Sequence, residues 1–256
     1  MRRAVEYLPY YAEQYETAEI DSWFYRIPES ADVREYKEAV PETFRFTCKV
    51  PQQITLTHHR KKNKDGSLNP NSDFLSAELF KEFLEKTEAL HPQLDAVMFE
   101  FEYLNKQKMS GISEFIDRFG EFLHNLPAGL PYALEIRNGN YLKDEYFDFI
   151  KESKLIYVFS EKIYMPHIYD VYEQNDSAVF TEAGRTVIRL MGGDRKEIEK
   201  KADGAWNKLV DAKDDLDRIA GLISSLSKTA AVTVNVNNHY EGSAPKSIDR
   251  LKTQLS

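Results

Sequence analysis

Charged and amide side chains recur late in short runs that are otherwise apolar, β-branched or aromatic: Glu19 and Asp21, Lys49, Glu135 and Arg137, Arg189, and then Asn237-Asn238-His239. Side chains alternate along a strand, so residues two apart share a face. That pairs Glu19 with Asp21, Glu100 with Glu102, Glu135 with Arg137, and Asn235 with Asn237 and His239. An ionised group inside an apolar core is costly unless it is paired or reaches water. Gathered at one end of the strands, these groups form a polar pocket. Glu19 and Glu135 then supply an acid–base carboxylate pair. Lys49, Arg137 and Arg189 favour a substrate carrying phosphate or carboxylate, with arginine suited to bidentate contact. Asp21, His58, Asn237 and Asn238 complete the expected substrate contacts. A carboxylate beside these cations stays ionised at neutral pH, so proton transfer falls to His239.

Other chemistries fit parts of the set. Carboxylates beside a histidine suit a divalent cation, which is the one cofactor the residues suggest. A structural metal centre is not expected, because one cysteine and six scattered histidines show no zinc-ligand spacing. Glycoside hydrolysis also needs two carboxylates, for which Glu19 and Glu135 are the candidates. The competing structural reading is an ion-pair network that neutralises itself out of reach of solvent and fixes the fold.

One basic concentration stands apart: His58-His59-Arg60-Lys61-Lys62-Asn63-Lys64. It falls in a long loop after an expected strand, where binding segments and lids are common. It carries the alternative reading, a non-catalytic module that contacts nucleic acid or a protein partner through residues 58–64. The acidic total, 42 Asp and Glu against 34 Lys and Arg for a net charge of −8, disfavours a strong sequence-blind grip on nucleic acid. Trp23, Phe24 and Tyr25 are aromatic neighbours suited either to the core or to stacking a sugar or base. Cys48 is expected to be a small buried residue and not a nucleophile.

Seven β-rich runs must position these groups: 17–21, 44–50, 95–101, 132–137, 155–159, 186–190 and 230–236. Helical periodicity falls between them, at 4–15, 29–39, 77–90, 113–123, 144–151, 195–226 (with a break) and 245–255. In 77–90, Leu79, Phe80, Phe83, Leu84 and Leu90 form one stripe while Lys81, Glu82, Glu85 and Lys86 face away. Strands alternating with helices call for a parallel sheet with right-handed crossovers. The length, 256 residues, suits an α/β fold of the (β/α) TIM-barrel type. No strand leads into a Gly-x-Gly-x-x-Gly turn, which argues against a dinucleotide fold.

Several blocks also resemble one family. Glu19-Ile20-Asp21-Ser22-Trp23-Phe24-Tyr25-Arg26-Ile27-Pro28 is similar to the second-strand signature of the YecE-like family, domain of unknown function 72. Lys49-Val50-Pro51 with Ile54-Thr55-Leu56-Thr57-His58 resembles its third strand and following loop. Glu135-Ile136-Arg137-Asn138, Val187-Ile188-Arg189-Leu190 and Val236-Asn237-Asn238-His239 resemble its fifth, seventh and last strands. The resemblance implies a TIM-type barrel over 1–256 as a single domain, without a settled activity. The family's usual Gly-rich first strand has no counterpart, which leaves seven strands. Asn138, Tyr141 and Met191 replace residues the family tends to carry.

Composition sets the remaining bounds. With 42% hydrophobic and 30% charged residues the chain is of globular type, neither disordered nor fibrous. No apolar stretch is long enough for a membrane helix, and Met1-Arg2-Arg3 is not followed by an apolar leader run. Together with the single cysteine this predicts a cytoplasmic protein. The sequence sets no oligomeric state. The expectation is an enzyme, of hydrolase or isomerase type, acting on a small polar or anionic ligand such as a phosphoester or sugar phosphate.

Overall fold

The computed structural model describes residues 4–256; the Met1-Arg2-Arg3 start lies outside them. The chain falls into two compact units, one ending at Arg137 and the other beginning at Asn138.

In the first unit, strands β1 (Thr17–Ile20), β2 (Arg45–Lys49), β5 (Leu94–Glu100) and β6 (Tyr132–Glu135) lie side by side in that order, all parallel. Between β2 and β5 the chain makes a small antiparallel hairpin, β3 (His58–His59) with β4 (Asn69–Pro70). The register sorts the side chains by face. Glu19 stands opposite Thr47, Lys49 opposite Met98, and Glu100 opposite Glu135, so the charged residues share one face of the sheet. The other face is aromatic. Phe99 packs against Phe80, Phe119 and Phe122 at ring separations of 5.2–5.6 Å.

Two helices supply those rings because their apolar residues recur at helical spacing. Helix Ala77–Thr87 buries Phe80, Phe83 and Leu84 and starts at Ser76, whose Oγ accepts from the Leu79 amide at 3.2 Å. Helix Ile112–His124 buries Phe115, Phe119 and Phe122. The periodic stretch 4–15 is shorter than expected, a 3-10 turn at Ala4–Glu6 and a helix at Leu8–Ala12. Pro9 occupies the first turn of that second helix, where its missing N–H costs nothing.

In the second unit, β7 (Ile156–Lys162), β8 (Arg185–Gly192) and β9 (Ala231–Val236) are parallel in that order. Ser160, Arg189 and Asn235 are neighbours across the three strands. The expected break within 195–226 is real. Helix Arg195–Ala202 begins at Asp194, whose carboxylate accepts from the Lys196 and Glu197 amides, and it ends where Asp203 turns left-handed at φ +48°. Helix Leu216–Leu226 follows. Gly192 has φ +84°, and a Cβ there would overlap the carbonyl oxygen of His239, so the end of β8 needs glycine. Short helices at Ile168–Glu173 and Ala178–Thr181 carry no periodicity long enough to be read from sequence. No helix among the described residues is long and apolar enough to cross a membrane.

Candidate functional site

The charged face of the first unit gathers six side chains at the carboxyl ends of its strands. Lys49, at the end of β2, is the hub. Its ammonium contacts Asp21 closely, Glu100 Oε2 at 3.0 Å and Glu19 Oε1 at 3.7 Å. The Phe24 ring lies 5.1 Å from the same nitrogen. Arg137 is the second cation. Its Nη2 meets Glu100 Oε1 at 2.6 Å, and its Nε lies 3.6 Å from Glu135 Oε1. Glu100 is therefore bridged by one cation on each oxygen.

Exposure grades across this cluster. The Asp21 side chain is 57% exposed and that of Arg137 26%, whereas Lys49 and Glu100 are buried and the Glu135 side chain has no exposed surface. Asp21 and Arg137 thus form the solvent-facing ends of a network whose middle is dry. The Nε of Arg137 is itself buried and has no hydrogen-bond partner, since 3.6 Å is beyond bonding length.

The sequence expectation put Glu19, Asp21, Lys49, Glu135, Arg137, Arg189 and His239 in one pocket, and the structure places the first five in the first unit's cluster. Glu100 is the member it missed. Its pairing with Glu102 was visible, but only strand register shows that it faces Glu135 and lies between both cations. Glu102 lies past the strand end and pairs with Lys108 at 2.6 Å. His58 makes no bond to the cluster among the described residues; it stands at the base of the hairpin, with Nδ1 3.0 Å from Thr57 Oγ1. Trp23 is core, edge-on to Phe83, while Tyr25 is exposed beside Phe24.

The remaining expected residues belong to the second unit. Arg189 is buried in β8 beside Ser160 and Asn235. His239 is half-buried, with Nδ1 2.7 Å from Asn237 Oδ1, Nε2 3.4 Å from Glu199 Oε1, and its ring against Trp206. Arg195 first and His239 second hold the Glu199 carboxyl below its ordinary range. Asn238 accepts from the Ala244 amide at 2.8 Å and so organises the turn into helix Ala244–Leu255.

A histidine that sequence reasoning passed over lies in this unit. Glu161 at the end of β7 accepts from the Ile168 amide at 3.0 Å and holds His167 Nδ1 at 2.8 Å. His167 stacks on Tyr169, whose hydroxyl donates to Asp215 at 2.9 Å. His167 has no β-rich run of its own to mark it. Among the described residues no group of three or more His, Cys, Asp or Glu side chains is placed to hold a metal ion.

The family model for "Protein of unknown function DUF72" matches residues 1–256. A crystal structure of a DUF72 family protein from Enterococcus faecalis V583 is 21% identical, with a TM-score of 0.69 over 97% of this chain and 87% of that one. A DUF72 family protein from Thermotoga maritima MSB8 is 17% identical, with a TM-score of 0.67 over 99% and 90% of the respective chains. No curated protein matches. These likenesses show the fold, the α/β architecture of TIM-barrel type expected from the order of strands and helices. With the model matched along all 256 residues, the chain belongs to the DUF72 family.

Proposed function

We propose that the protein is an enzyme acting on a small polar substrate that carries an anionic group, a phosphoester or sugar phosphate, at the carboxyl ends of the first unit's strands. Arg137 carries the reading. Its guanidinium is anchored through Nη2 on Glu100, part of the side chain reaches solvent, and its buried Nε–H lacks an acceptor. A guanidinium anchored on one nitrogen, in a side chain that partly reaches water, is suited to an oxyanion. A buried donor left unpaired costs about 1–3 kcal/mol, which a small shift of Glu135 removes.

The other residues follow from their exposure. Asp21, anchored on Lys49 and open to solvent, is the carboxylate that meets the substrate as general base. Glu19 and Glu100 hold the Lys49 ammonium in place behind it. Glu135, sealed from solvent, orients Arg137 and is a positioning residue.

Thermal melting with inorganic phosphate, sugar phosphates and simple phosphomonoesters tests this. Wild type is expected to gain stability with ligand, by about 2.7 kcal/mol at a hundredfold excess over Kd. Arg137→Lys keeps the positive charge for Glu100 but not the bidentate fork, so it should fold and lose most of that gain. Asp21→Asn should bind and fail to turn over. If no phosphate-bearing compound moves the wild-type melting point, the reading fails.

A further inference from the structure

The run His58–Pro70 is not a slack loop. Its strands pair His58 with Pro70 and His59 with Asn69. Asn71 clamps the base, its amide nitrogen donating to the carbonyls of Gln53 and Leu56, both at 2.7 Å. The tip is closed by its own side chains. Asn63 Nδ2 donates to Ser67 Oγ and to the Leu68 carbonyl, Asp65 Oδ1 accepts from the Ser67 amide and hydroxyl, and Gly66 takes the left-handed turn at φ +82°. The result is a pinned finger whose residues 59–67 are all exposed.

Its charge is one-sided. Arg60, Lys61, Lys62 and Lys64 project from it, and among the described residues none of them pairs with a carboxylate; Arg60 is steadied by Gln52 Oε1 at 3.0 Å. The finger's single acid, Asp65, is held by the Ser67 amide and hydroxyl and offsets only one of the four positive charges. This contrasts with the chain as a whole, which carries a net charge of −8.

We infer that this finger is a second binding site, distinct from the Arg137 cluster, which grips the phosphate backbone of a nucleic acid without reading its sequence. Two features select that partner. Apart from the His59 imidazole, the exposed segment 59–67 has no apolar or aromatic side chain, so a protein partner would find no large anchor of the kind that carries protein–protein affinity. Binding must come from charge alone, and that favours a polymer of dense regular charge whose counterions are released. Asn63 and Asp65, the tip's groups suited to base edges, are occupied within the turn, which leaves the four cations as the main contacts. The acidic remainder of the surface confines the contact to the finger and keeps it salt-sensitive.

Fluorescence anisotropy of the full chain with a short labelled duplex of random sequence, titrated at several salt concentrations, is the test. Four neutralised phosphates give a log–log salt slope of about −3.6, a loss of roughly a hundredfold in affinity for a fourfold rise in salt. The triple variant Lys61→Ala, Lys62→Ala, Lys64→Ala should melt at the wild-type temperature and show a slope of about −0.9. A duplex of unrelated sequence should bind equally well. The inference is overturned if wild type binds no duplex at low salt, or if the triple variant binds with the wild-type slope. It is overturned equally if poly-glutamate binds as tightly as the duplex, which would assign the finger to acidic polypeptides.

Discussion

Glu100 and Glu135 occupy opposed positions on adjacent parallel strands, an arrangement of like charges that a sheet tolerates only with cations between them. Arg137, two residues beyond Glu135 on the same face, meets Glu100 at 2.6 Å and approaches Glu135 at 3.6 Å. Lys49 takes the other oxygen of Glu100. The cluster is thus a structural necessity of the register and, at its Asp21 and Arg137 ends, a solvent-facing surface.

Lys49 serves three carboxylates, two of them largely buried. Lys49→Met keeps the volume and removes the charge. Breaking a buried pair from one side leaves an uncompensated partner, so a loss of about 3–5 kcal/mol is expected in urea unfolding. A loss below about 1 kcal/mol, the range of exposed pairs, would show that the network contributes little to stability.

Asn238 organises the turn into the last helix through its bond to the Ala244 amide. Asn238→Ala is expected to cost about 1 kcal/mol, the usual value of such a side-chain cap. Chemical denaturation measures it, and an unchanged midpoint would free Asn238 for a role outside the turn.

Cys48 is completely buried in β2, and burial, then the Glu19 carboxylate, pushes its thiol well above the ordinary range. It should resist thiol reagents in the native protein and react stoichiometrically in denaturant. Rapid labelling of the folded chain would contradict that packing.

Tyr132 donates to the Pro127 carbonyl and Tyr169 to Asp215, and both phenols are pushed up to about 12. Burial is the cause for each, reinforced at Tyr169 by the Asp215 carboxylate. The folded chain holds these protons more tightly than the unfolded chain, whose phenols titrate at about 10. Their contribution to stability is therefore complete below about pH 10 and disappears as pH rises from about 10 to 12. Tyrosinate absorbance followed beside unfolding checks this; ionisation of both groups near pH 10 in folded protein would refute it.

What could be read from the amino acids was whatever depends on local spacing. All seven principal strands stand where β-rich runs marked them, and the long helices where apolar stripes did, because alternation and helical periodicity are properties of neighbours in the chain. Period-two alternation also put Glu19 with Asp21 and Glu135 with Arg137. It did not reveal Glu100, since its facing Glu135 is a matter of register between strands more than thirty residues apart. Nor did it show that Trp23 is core while Tyr25, two residues on, is exposed, because a short 3-10 turn at Ser22–Phe24 ends the strand before alternation applies. The closed finger at 58–70 looked like an open loop, as its order comes from Asn71, Asn63 and Asp65 bonding across the turn. Spacing in the chain determined the elements and the faces their side chains share. Which charges meet, and which of them still touch water, was decided by register and packing, because Coulomb attraction and desolvation act through space between residues far apart in sequence.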